Sequence, residues 1–326
     1  MTTVDILFDK PDTPAFPGDI VTGSVMLNNT KPLNARSITV KWEGFTETNV
    51  AFAVSSNRIN LLSGNDLIWS RGSEYNKLDV GTHLFPFRFT LPENCPPSVD
   101  CLAAKNEYKV SVEIDRPWKF NIKYEKKFQV SNKVDATTFK RSESTTKIFQ
   151  TGFVFGDGPV TFSVKPPTRS LVPGQSMDLE IYVENMSAVP VDYIYATLGN
   201  QCHCHTRNQH HECKSFYWKN NCPMGFFQKS FRFRFVGKKV KLNINLAPYS
   251  EGSYILPFSI PKDASTPSFS TGLMTFGYLL DVGFKLNGHV IPYAASLTLC
   301  IGEHKDAEDV QETEKEAIEA PPAYMP

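Results

Sequence analysis

One short segment of the chain concentrates the side chains that bind metals. Residues 202–222, C-H-C-H-T-R-N-Q-H-H-E-C-K-S-F-Y-W-K-N-N-C, hold four of the seven cysteines and four of the seven histidines. Thiolate and imidazole are ligands that zinc prefers, and four of them complete a structural site. The metal set that we predict comprises Cys202, Cys204, Cys213 and Cys222, with His211 as an alternate ligand.

Two other interpretations of this segment stay open. Its spacing lacks the C-x2-C of standard zinc modules, so it also fits a polar loop between strands whose thiols hold no metal. Redox sensing is a third interpretation, although nothing in the sequence marks a thiol with a lowered pKa. In an extended chain, Cys202 and Cys204 project to one face, and His203 and His205 project to the other. We expect no required cofactor, and structural zinc is the one candidate.

The chain ends in A-P-P-A-Y-M-P, directly after an acidic stretch. Proline fixes φ and lacks an N–H group, so Pro321 and Pro322 are preset to polyproline II. WW domains bind such segments in a groove lined by aromatic rings. Tyr324 would fill a second pocket with its ring buried and its hydroxyl in water. We predict these three residues as a WW-domain ligand; the alternative is a solvated terminus.

A basic segment follows the Cys/His segment. Residues 231–246, F-R-F-R-F-V-G-K-K-V-K-L-N-I-N-L, predict a hairpin that turns near Gly237. The side chains expected inside are Phe231, Phe233, Phe235, Val240, Leu242 and Ile244. The side chains expected outside are Arg232, Arg234, Lys238, Lys239 and Lys241. They fit acidic or phosphorylated cargo tails, or anionic lipid headgroups; the ordinary alternative is a solvated face. Lysines 119, 123, 126 and 127 form a second, weaker cluster.

The elements that must position these residues are strands. Period-two alternation places the apolar side chains of 37–43, 107–114 and 177–184 on one face of each segment. Strands with one wet face form antiparallel sheets, and two such sheets pack into a sandwich. Residues 1–302 contain no convincing long amphipathic helix. We therefore predict an all-β protein with two tandem antiparallel β-sandwiches, immunoglobulin-like in architecture, and a short disordered C-terminal tail.

The two sandwiches are expected because the sequence repeats. G-T-H-L-F-P-F-R-F-T-L-P at 81–92 parallels G-S-Y-I-L-P-F-S-I-P at 252–261, and each continues to a Pro-Ser. Earlier, F-P-G-D at 16–19 parallels V-P-G-Q at 172–175, and each precedes a strand and an Asn-x-[Thr/Ser] turn. Ordered matches favour duplication. The predicted domains are 1–135 and 148–302, with a linker at 136–147 and an acidic tail at 303–326.

Charge and motifs narrow the function classes. Net charge is zero, but residues 303–326 carry −6 and the remaining 302 residues carry +6. This distribution permits anionic partners without indicating nucleic acid, which we do not expect. The sequence has no G-x-S-x-G, no H-E-x-x-H and no phosphate-cradling glycine loop, so we expect no enzyme. The start of the chain has no signal-peptide pattern and no apolar run is long enough to span a bilayer, which predicts a cytoplasmic protein.

The sequence resembles the alpha-arrestins, the arrestin domain-containing proteins. The resemblance in the first half lies in P-G-D-x-V-x-G-x-V, in the phrase that begins at Gly81, and above all in Y-K-V-S-V-E-I-D-R-P-W at 108–118. The second half resembles the C-terminal arrestin domain more loosely, and 200–225 departs from the pattern. The resemblance implies two tandem sandwiches and a role as an adaptor. Such adaptors bring membrane-protein cargo to ubiquitin ligases through P-P-x-Y tails.

The resemblance therefore implies a WW-domain-containing HECT-type E3 ligase and the cytosolic tails of membrane proteins as partners. It also implies recruitment to the plasma membrane and endosomes, with peripheral contact to anionic membrane as a further expectation. One alternative is an arrestin-like sorting-coat subunit similar to that of retromer, which leaves P-P-A-Y unexplained. Another is a receptor-desensitising arrestin of the visual type, for which no phosphate-sensing polar core can be placed.

Overall fold

The structure, a computed structural model, describes residues 2–49, 56–72, 77–134, 144–152, 156–206 and 228–304. Of residues 228–229 and 231–234 it describes the backbone alone. All regular elements in these ranges are β-strands. In the same ranges, no helix is long and apolar enough to cross a bilayer.

The first half of the chain forms two antiparallel sheets. Its strands are β1 (Thr2–Phe8), β2 (Ile20–Asn29), β3 (Ser37–Asn49), β4 (Ser56–Ser70), β5 (Gly81–Thr90), β6 (Val99–Asp100), β7 (Ala104–Asp115) and β8 (Ile122–Phe128). One sheet has the order β1-β2-β5, and the other has the order β4-β3-β7-β6 with β8 also paired to β7. The pairs β1–β2, β2–β5, β3–β4 and β3–β7 are all antiparallel.

The alternating apolar side chains of both sheets form one core. Val25 and Leu27 of β2 belong to the same buried cluster as Val40 of β3 and Val110 and Val112 of β7. Each of these side chains is at most 1% exposed, so the apolar faces predicted from the alternation are confirmed. Burial of these faces between two sheets is the physical basis of the sandwich.

The second half forms two further sheets. Its strands are β9 (Thr145–Thr151), β10 (Gly158–Lys165), β11 (Ser170–Leu171), β12 (Ser176–Asn185), β13 (Val191–His205), β14 (Gln228–Leu246), β15 (Ser250–Ser259), β16 (Phe269–Ser270), β17 (Met274–Leu286) and β18 (Tyr293–Ile301). The four-stranded sheet has the order β15-β12-β10-β9. The six-stranded sheet has the order β11-β18-β17-β13-β14, with β16 paired to β17.

Aromatic side chains join these two sheets. The ring of Phe162 in β10 and the ring of Phe149 in β9 each lie 5.4 Å from the ring of Phe284 in β17. Phe162 and Phe284 are fully buried. The predicted fold class, all-β with two tandem sandwiches, is therefore confirmed.

The repeated Pro-Phe phrase lies at equivalent places in the two halves. Pro86 is in β5 and Pro257 is in β15, and each of these strands is the last in its sheet among the described residues. A proline cannot donate a ladder hydrogen bond, so it fits an edge strand and not a central one. The following residues, Phe87 and Phe258, are at most 4% exposed. The phrase thus combines a sheet edge with a core side chain.

The repeated Pro-Ser phrase is also built in the same way twice. The backbone amide of Ser98 donates to the carbonyl of Val130 at 2.8 Å, and the hydroxyl of Ser98 accepts a hydrogen bond from the amide of Val130 at 3.0 Å. Ser268 does the same with Ile301, again at 3.0 Å to the hydroxyl. A buried tyrosine accompanies each serine. These matched contacts support the duplication inferred from the sequence.

The two tyrosines each donate to a carbonyl two residues before the serine. The hydroxyl of Tyr108 donates to the carbonyl of Pro96 at 2.7 Å. The hydroxyl of Tyr278 donates to the carbonyl of Thr266 at 2.8 Å. Both rings are 1% exposed, so each bond closes a loop against the core.

The chain divides into two compact units that are not contiguous in sequence. The first is Met1–Asn132 with Cys202–Phe231 and Phe269–Thr275, and the second is Lys133–Gln201 with Arg232–Ser268 and Phe276–Pro326. β9 begins within the segment predicted as the linker 136–147. His304, in the segment predicted as tail, bonds the hydroxyl of Ser170 at 2.9 Å. The predicted domain boundaries stay predictions.

The hairpin predicted near Gly237 is wrong. Residues Gln228–Leu246 form the single strand β14. Gly237 lies inside it with φ 71°, where a Cβ atom would come within 2.3 Å of the Pro261 ring. A single strand keeps one period-two alternation through this glycine, whereas a hairpin turn would restart it. Accordingly Val236 is 4% exposed and lies on the same face as the half-buried Val240 and Leu242, and Phe235, predicted inside, is 63% exposed on the other face.

Candidate functional site

The first part of the Cys/His segment forms the end of strand β13. Its residues 202–205 are all at most 1% exposed. A strand that is buried on both faces has no wet side, so these four side chains are enclosed rather than presented to solvent. The alternation expected from the sequence holds, because the thiols contact one set of groups and the imidazoles another.

The thiol face of this segment contacts the loop between β6 and β7. The Cys204 thiol lies 3.8 Å from the carbonyl oxygen of Ala103. The Cys202 thiol hydrogen bonds with the thiols of Cys101 and Cys204, and these contacts together with burial raise the pKa of Cys202 well above its usual value. A raised pKa disfavours the thiolate, the form that attacks oxidants and binds metals. No local spacing points to Cys101, which lies about a hundred residues away in the chain.

The imidazole face carries a pair of histidines. Their Nε2 atoms are 2.9 Å apart. His203 Nδ1 is 2.5 Å from the hydroxyl of Ser230, and His205 Nδ1 is 3.3 Å from the carbonyl of Gly272. Burial, with a smaller contribution from His205, lowers the pKa of His203 to about 4, and burial also lowers the pKa of His205. The pair is therefore held neutral near pH 7.

The described part of the chain tests the zinc prediction only in part. Cys202 and Cys204 lie side by side as expected, whereas Cys213, Cys222 and the alternate His211 lie outside the described residues. Within the described ranges, no group of three or more Cys, His, Asp or Glu side chains is placed to hold a metal ion. The metal set therefore stays a prediction.

The predicted cargo-binding cations lie on β14, the last strand of its sheet among the described residues. The side chains of Lys238, Lys239 and Lys241 are exposed. The side chains of Arg232 and Arg234 lie outside the described residues. Those basic groups that are described therefore face solvent, although the element is one continuous strand and not a hairpin.

Two of these lysines lie over tyrosine rings of the neighbouring strand β13. The Lys239 ammonium is 3.6 Å from the centre of the Tyr195 ring, and the Lys241 ammonium is 4.7 Å from the Tyr193 ring. Partial burial and the charge of Lys241 lower the pKa of Lys239. A cation over an aromatic face is held in place while keeping its charge. These tyrosines were not among the predicted site residues, because only the pairing of β13 with β14 brings them under the lysines.

The predicted WW-domain ligand lies outside the described residues, as does the rest of 305–326. Pro321, Pro322 and Tyr324 therefore stay predictions from the sequence.

Comparison with known proteins agrees with the duplicated sandwich. The model of the arrestin (or S-antigen) N-terminal domain matches residues 4–137, and that of the arrestin C-terminal domain matches residues 156–305. The chain belongs to the arrestin domain-containing proteins, the alpha-arrestin family. The two matches fall on the two halves that share the edge proline and the buried tyrosine.

Curated relatives carry the same name. The chain is 27% identical over 184 residues to arrestin domain-containing protein B of Dictyostelium discoideum, covering 54% of this chain and 29% of that protein. It is 24% identical over 204 residues to arrestin domain-containing protein 17 of Caenorhabditis elegans, covering 56% of this chain and 48% of that protein. The matched region thus spans less than half of each relative. Members of the arrestin family are in general non-enzymatic adaptors.

Proposed function

We propose that this arrestin-family protein is a cytoplasmic adaptor that links the cytosolic tails of membrane proteins to a WW-domain-containing HECT-type E3 ubiquitin ligase. The ligase recruited in this way would ubiquitinate the cargo, which would then undergo endocytosis and trafficking. The observation that carries the proposal is P-P-A-Y at 321–324, joined to a chain whose two domains are arrestin domains.

The ligase end of the adaptor follows from the chemistry of the motif. Pro321 and Pro322 have little conformational entropy to lose when they dock on aromatic rings. Tyr324 adds an aromatic contact whose hydroxyl remains in water. The sequence holds one such motif, so binding to a tandem of WW domains gains no avidity from a second site on the same chain. We therefore expect modest affinity for each WW domain.

The cargo end is the exposed basic surface of β14. Lys238, Lys239 and Lys241 present positive charge on a strand at the end of its sheet. Acidic or phosphorylated tails offer complementary charge, and charge-assisted hydrogen bonds to phosphate are among the stronger polar contacts. Attraction to such tails would recruit the protein to the plasma membrane and endosomes, where its cargo resides.

A binding assay with a panel of isolated WW domains tests the ligase end. We expect the full chain to be captured by at least one domain and Tyr324→Ala to lose about 2 kcal/mol or more of binding free energy, because an aromatic anchor leaves its pocket. The matched control is Met325→Ala, which shortens the neighbouring side chain and should bind as the parent does. Equal affinity of parent and Tyr324→Ala for every WW domain would contradict the adaptor proposal. The sorting-coat and receptor-desensitising alternatives both predict that equality.

A further inference from the structure

A second exposed feature lies at the turn between β7 and β8, outside the surfaces discussed above. The side chain of Trp118 is fully exposed, and that of Phe120 is 94% exposed. Scattered surface hydrophobic residues are ordinary, but two large aromatic rings beside each other on one turn are not. Together with Arg116 and Lys119 they line one shallow depression. We call residues 116–121 the aromatic tip.

The backbone of the aromatic tip holds Trp118 in a conformation that tryptophan rarely adopts. The amide of Lys119 donates to the carbonyl of Arg116 at 3.4 Å, which makes 116–119 a β-turn with Pro117 in the second position. Trp118 occupies the third position with φ 59°. A positive φ there defines the type II class of turns, in which glycine is favoured. The chain thus places its bulkiest residue at a glycine position, and the ring gains no burial in return.

Hydrogen bonds fix the rest of the aromatic tip. The Arg116 guanidinium donates to the carbonyl of Phe120, with Nε at 2.9 Å, and its amide donates to the side-chain oxygen of Asn121 at 3.3 Å. The Asn121 amide group donates to Glu113 of β7 at 2.9 Å. Both aromatic rings are therefore displayed from a bonded turn. A pre-formed site loses less entropy on binding than a floppy one.

The charge around the aromatic tip is positive. Arg116 and Lys119 lie in the turn, which contains no acidic residue, and no carboxylate in the described part of the chain pairs with Lys119. The nearest acid, Asp115 at the end of β7, pairs with the Arg36 guanidinium at 2.7 Å. The next acid on β7, Glu113, accepts hydrogen bonds from Asn121 and Lys41 that lower its pKa to about 2. A second ammonium, that of Lys123, lies 3.4 Å from the same carboxylate. Both carboxylates are thus compensated by cations outside the turn, and the uncompensated charge belongs to the tip.

We propose that the aromatic tip is a membrane-contacting site that inserts Trp118 and Phe120 into the headgroup region of an anionic bilayer. Aromatic rings favour the membrane–water interface, and flanking basic side chains favour anionic headgroups. A lipid surface fits these features better than a peptide does, since the depression at the tip is shallow and offers no walls to hold a chain. Lys119 and Arg116 then lie at the level of the phosphates. The site is independent of the WW-domain motif.

Vesicle co-sedimentation of the full chain tests this proposal. Two vesicle preparations are compared, phosphatidylcholine alone and phosphatidylcholine mixed with phosphatidylserine. We expect the parent to bind the anionic vesicles more strongly. The double variant Trp118→Ala/Phe120→Ala should lower its partition about tenfold or more, because two interfacial aromatic contacts are lost. Lys119→Ala should lower it about fivefold at low salt, and less at high salt.

Matched controls separate the aromatic tip from general hydrophobicity and from folding. Leu102 is 82% exposed in the same unit, and Leu102→Ala should bind vesicles as the parent does. Tyr324→Ala should also bind normally, which keeps a failure of the ligase proposal distinct from a failure of this one. Trp118→Gly should lose vesicle binding while melting at or above the temperature of Trp118→Ala, because glycine relieves the positive φ.

Three results would overturn the proposal. The first is no binding of the parent to anionic vesicles. The second is equal binding of the parent to neutral and anionic vesicles. The third is unchanged binding of Trp118→Ala/Phe120→Ala. Melting temperatures of all variants accompany the assay, so that lost binding with retained folding is attributed to the surface alone.

Discussion

The buried tyrosine hydroxyls of the two halves offer a quantitative test of the duplication. Tyr108→Phe and Tyr278→Phe each remove one hydroxyl and keep a ring that is 1% exposed. Burial raises the pKa of both hydroxyls well above the ordinary value, so each is a proton donor at any accessible pH. The change therefore deletes a hydrogen bond to a backbone carbonyl, and in Tyr108 also the contact of the hydroxyl with the Cys95 thiol, and it leaves apolar burial intact.

The expected magnitude follows from the bond to the backbone carbonyl, the contact that the two tyrosines share. A neutral hydrogen bond contributes about 1 kcal/mol net, and a carbonyl left without a partner in the interior raises the cost. We expect each variant to lose about 1–2 kcal/mol of unfolding free energy. For a domain of this size, a change of 1 kcal/mol corresponds to about 2–4 °C in melting temperature. The control Tyr249→Phe alters a side chain that is 68% exposed and should stay within about 0.5 kcal/mol of the parent.

The assay needs to report on the two halves separately, because a chain of two units does not have to unfold in one step. Thermal and urea unfolding give the overall effect, and hydrogen exchange of amides in β7 and in β17 assigns it. Tyr108→Phe should weaken protection around β7, and Tyr278→Phe should weaken protection around β17. If both variants have the same melting temperature as the parent and the control, these hydrogen bonds do not stabilise the loops. A loss in one half alone would refute their equivalence.

Three further predictions concern the Cys/His segment and the basic strand. His203 has a pKa near 6.5 in the unfolded chain and about 4 in the folded chain, so lowering the pH from 6.5 to 4 should remove about 3 kcal/mol of unfolding free energy. Urea unfolding at several pH values measures this loss, and His203→Gln should make the unfolding free energy depend less on pH. Elemental analysis after expression with zinc should find about one zinc ion per chain, and the double variant Cys202→Ser/Cys204→Ser should lose the metal and be less stable. If the parent contains no metal, the thiols are not metal ligands. Lys238→Glu and Lys239→Glu should each weaken the binding of acidic peptides by the same amount at low salt. Only Lys239→Glu should also lower the melting temperature, because it removes a cation from a tyrosine ring. Equal melting temperatures of the two variants would contradict that contact.

The alternation of apolar and polar residues, together with the positions of proline and glycine, predicted much of this fold. A strand that buries one face must alternate, so the core side chains of β3, β7 and β12 could be assigned before any partner was known. The repeated Pro-Phe phrase lies on an edge strand in both halves, because a proline lacks the amide donor that a central strand needs. The duplication followed from the order of such phrases.

The course of the chain at Gly237 could not be predicted in the same way. A glycine with positive φ suits a two-stranded turn and a bulge inside one strand equally well, so the local sequence does not choose between them. The choice depends on which neighbour pairs with the residues before and after it. β14 continues through Gly237 with one alternation, which places Val236 on the same face as Val240 and leaves Phe235 exposed on the other face.

The Cys/His segment divides in the same sense between sequence and tertiary structure. Period two in the sequence determined that Cys202 and Cys204 share one face and that His203 and His205 share the other. Only the fold brought Cys101 to the thiol face and Ser230 to the imidazole face. Such neighbours come from distant parts of the chain, and their approach is set by the packing of whole sheets, which no local spacing encodes. Burial by those sheets, and not the residue types, holds the histidines neutral.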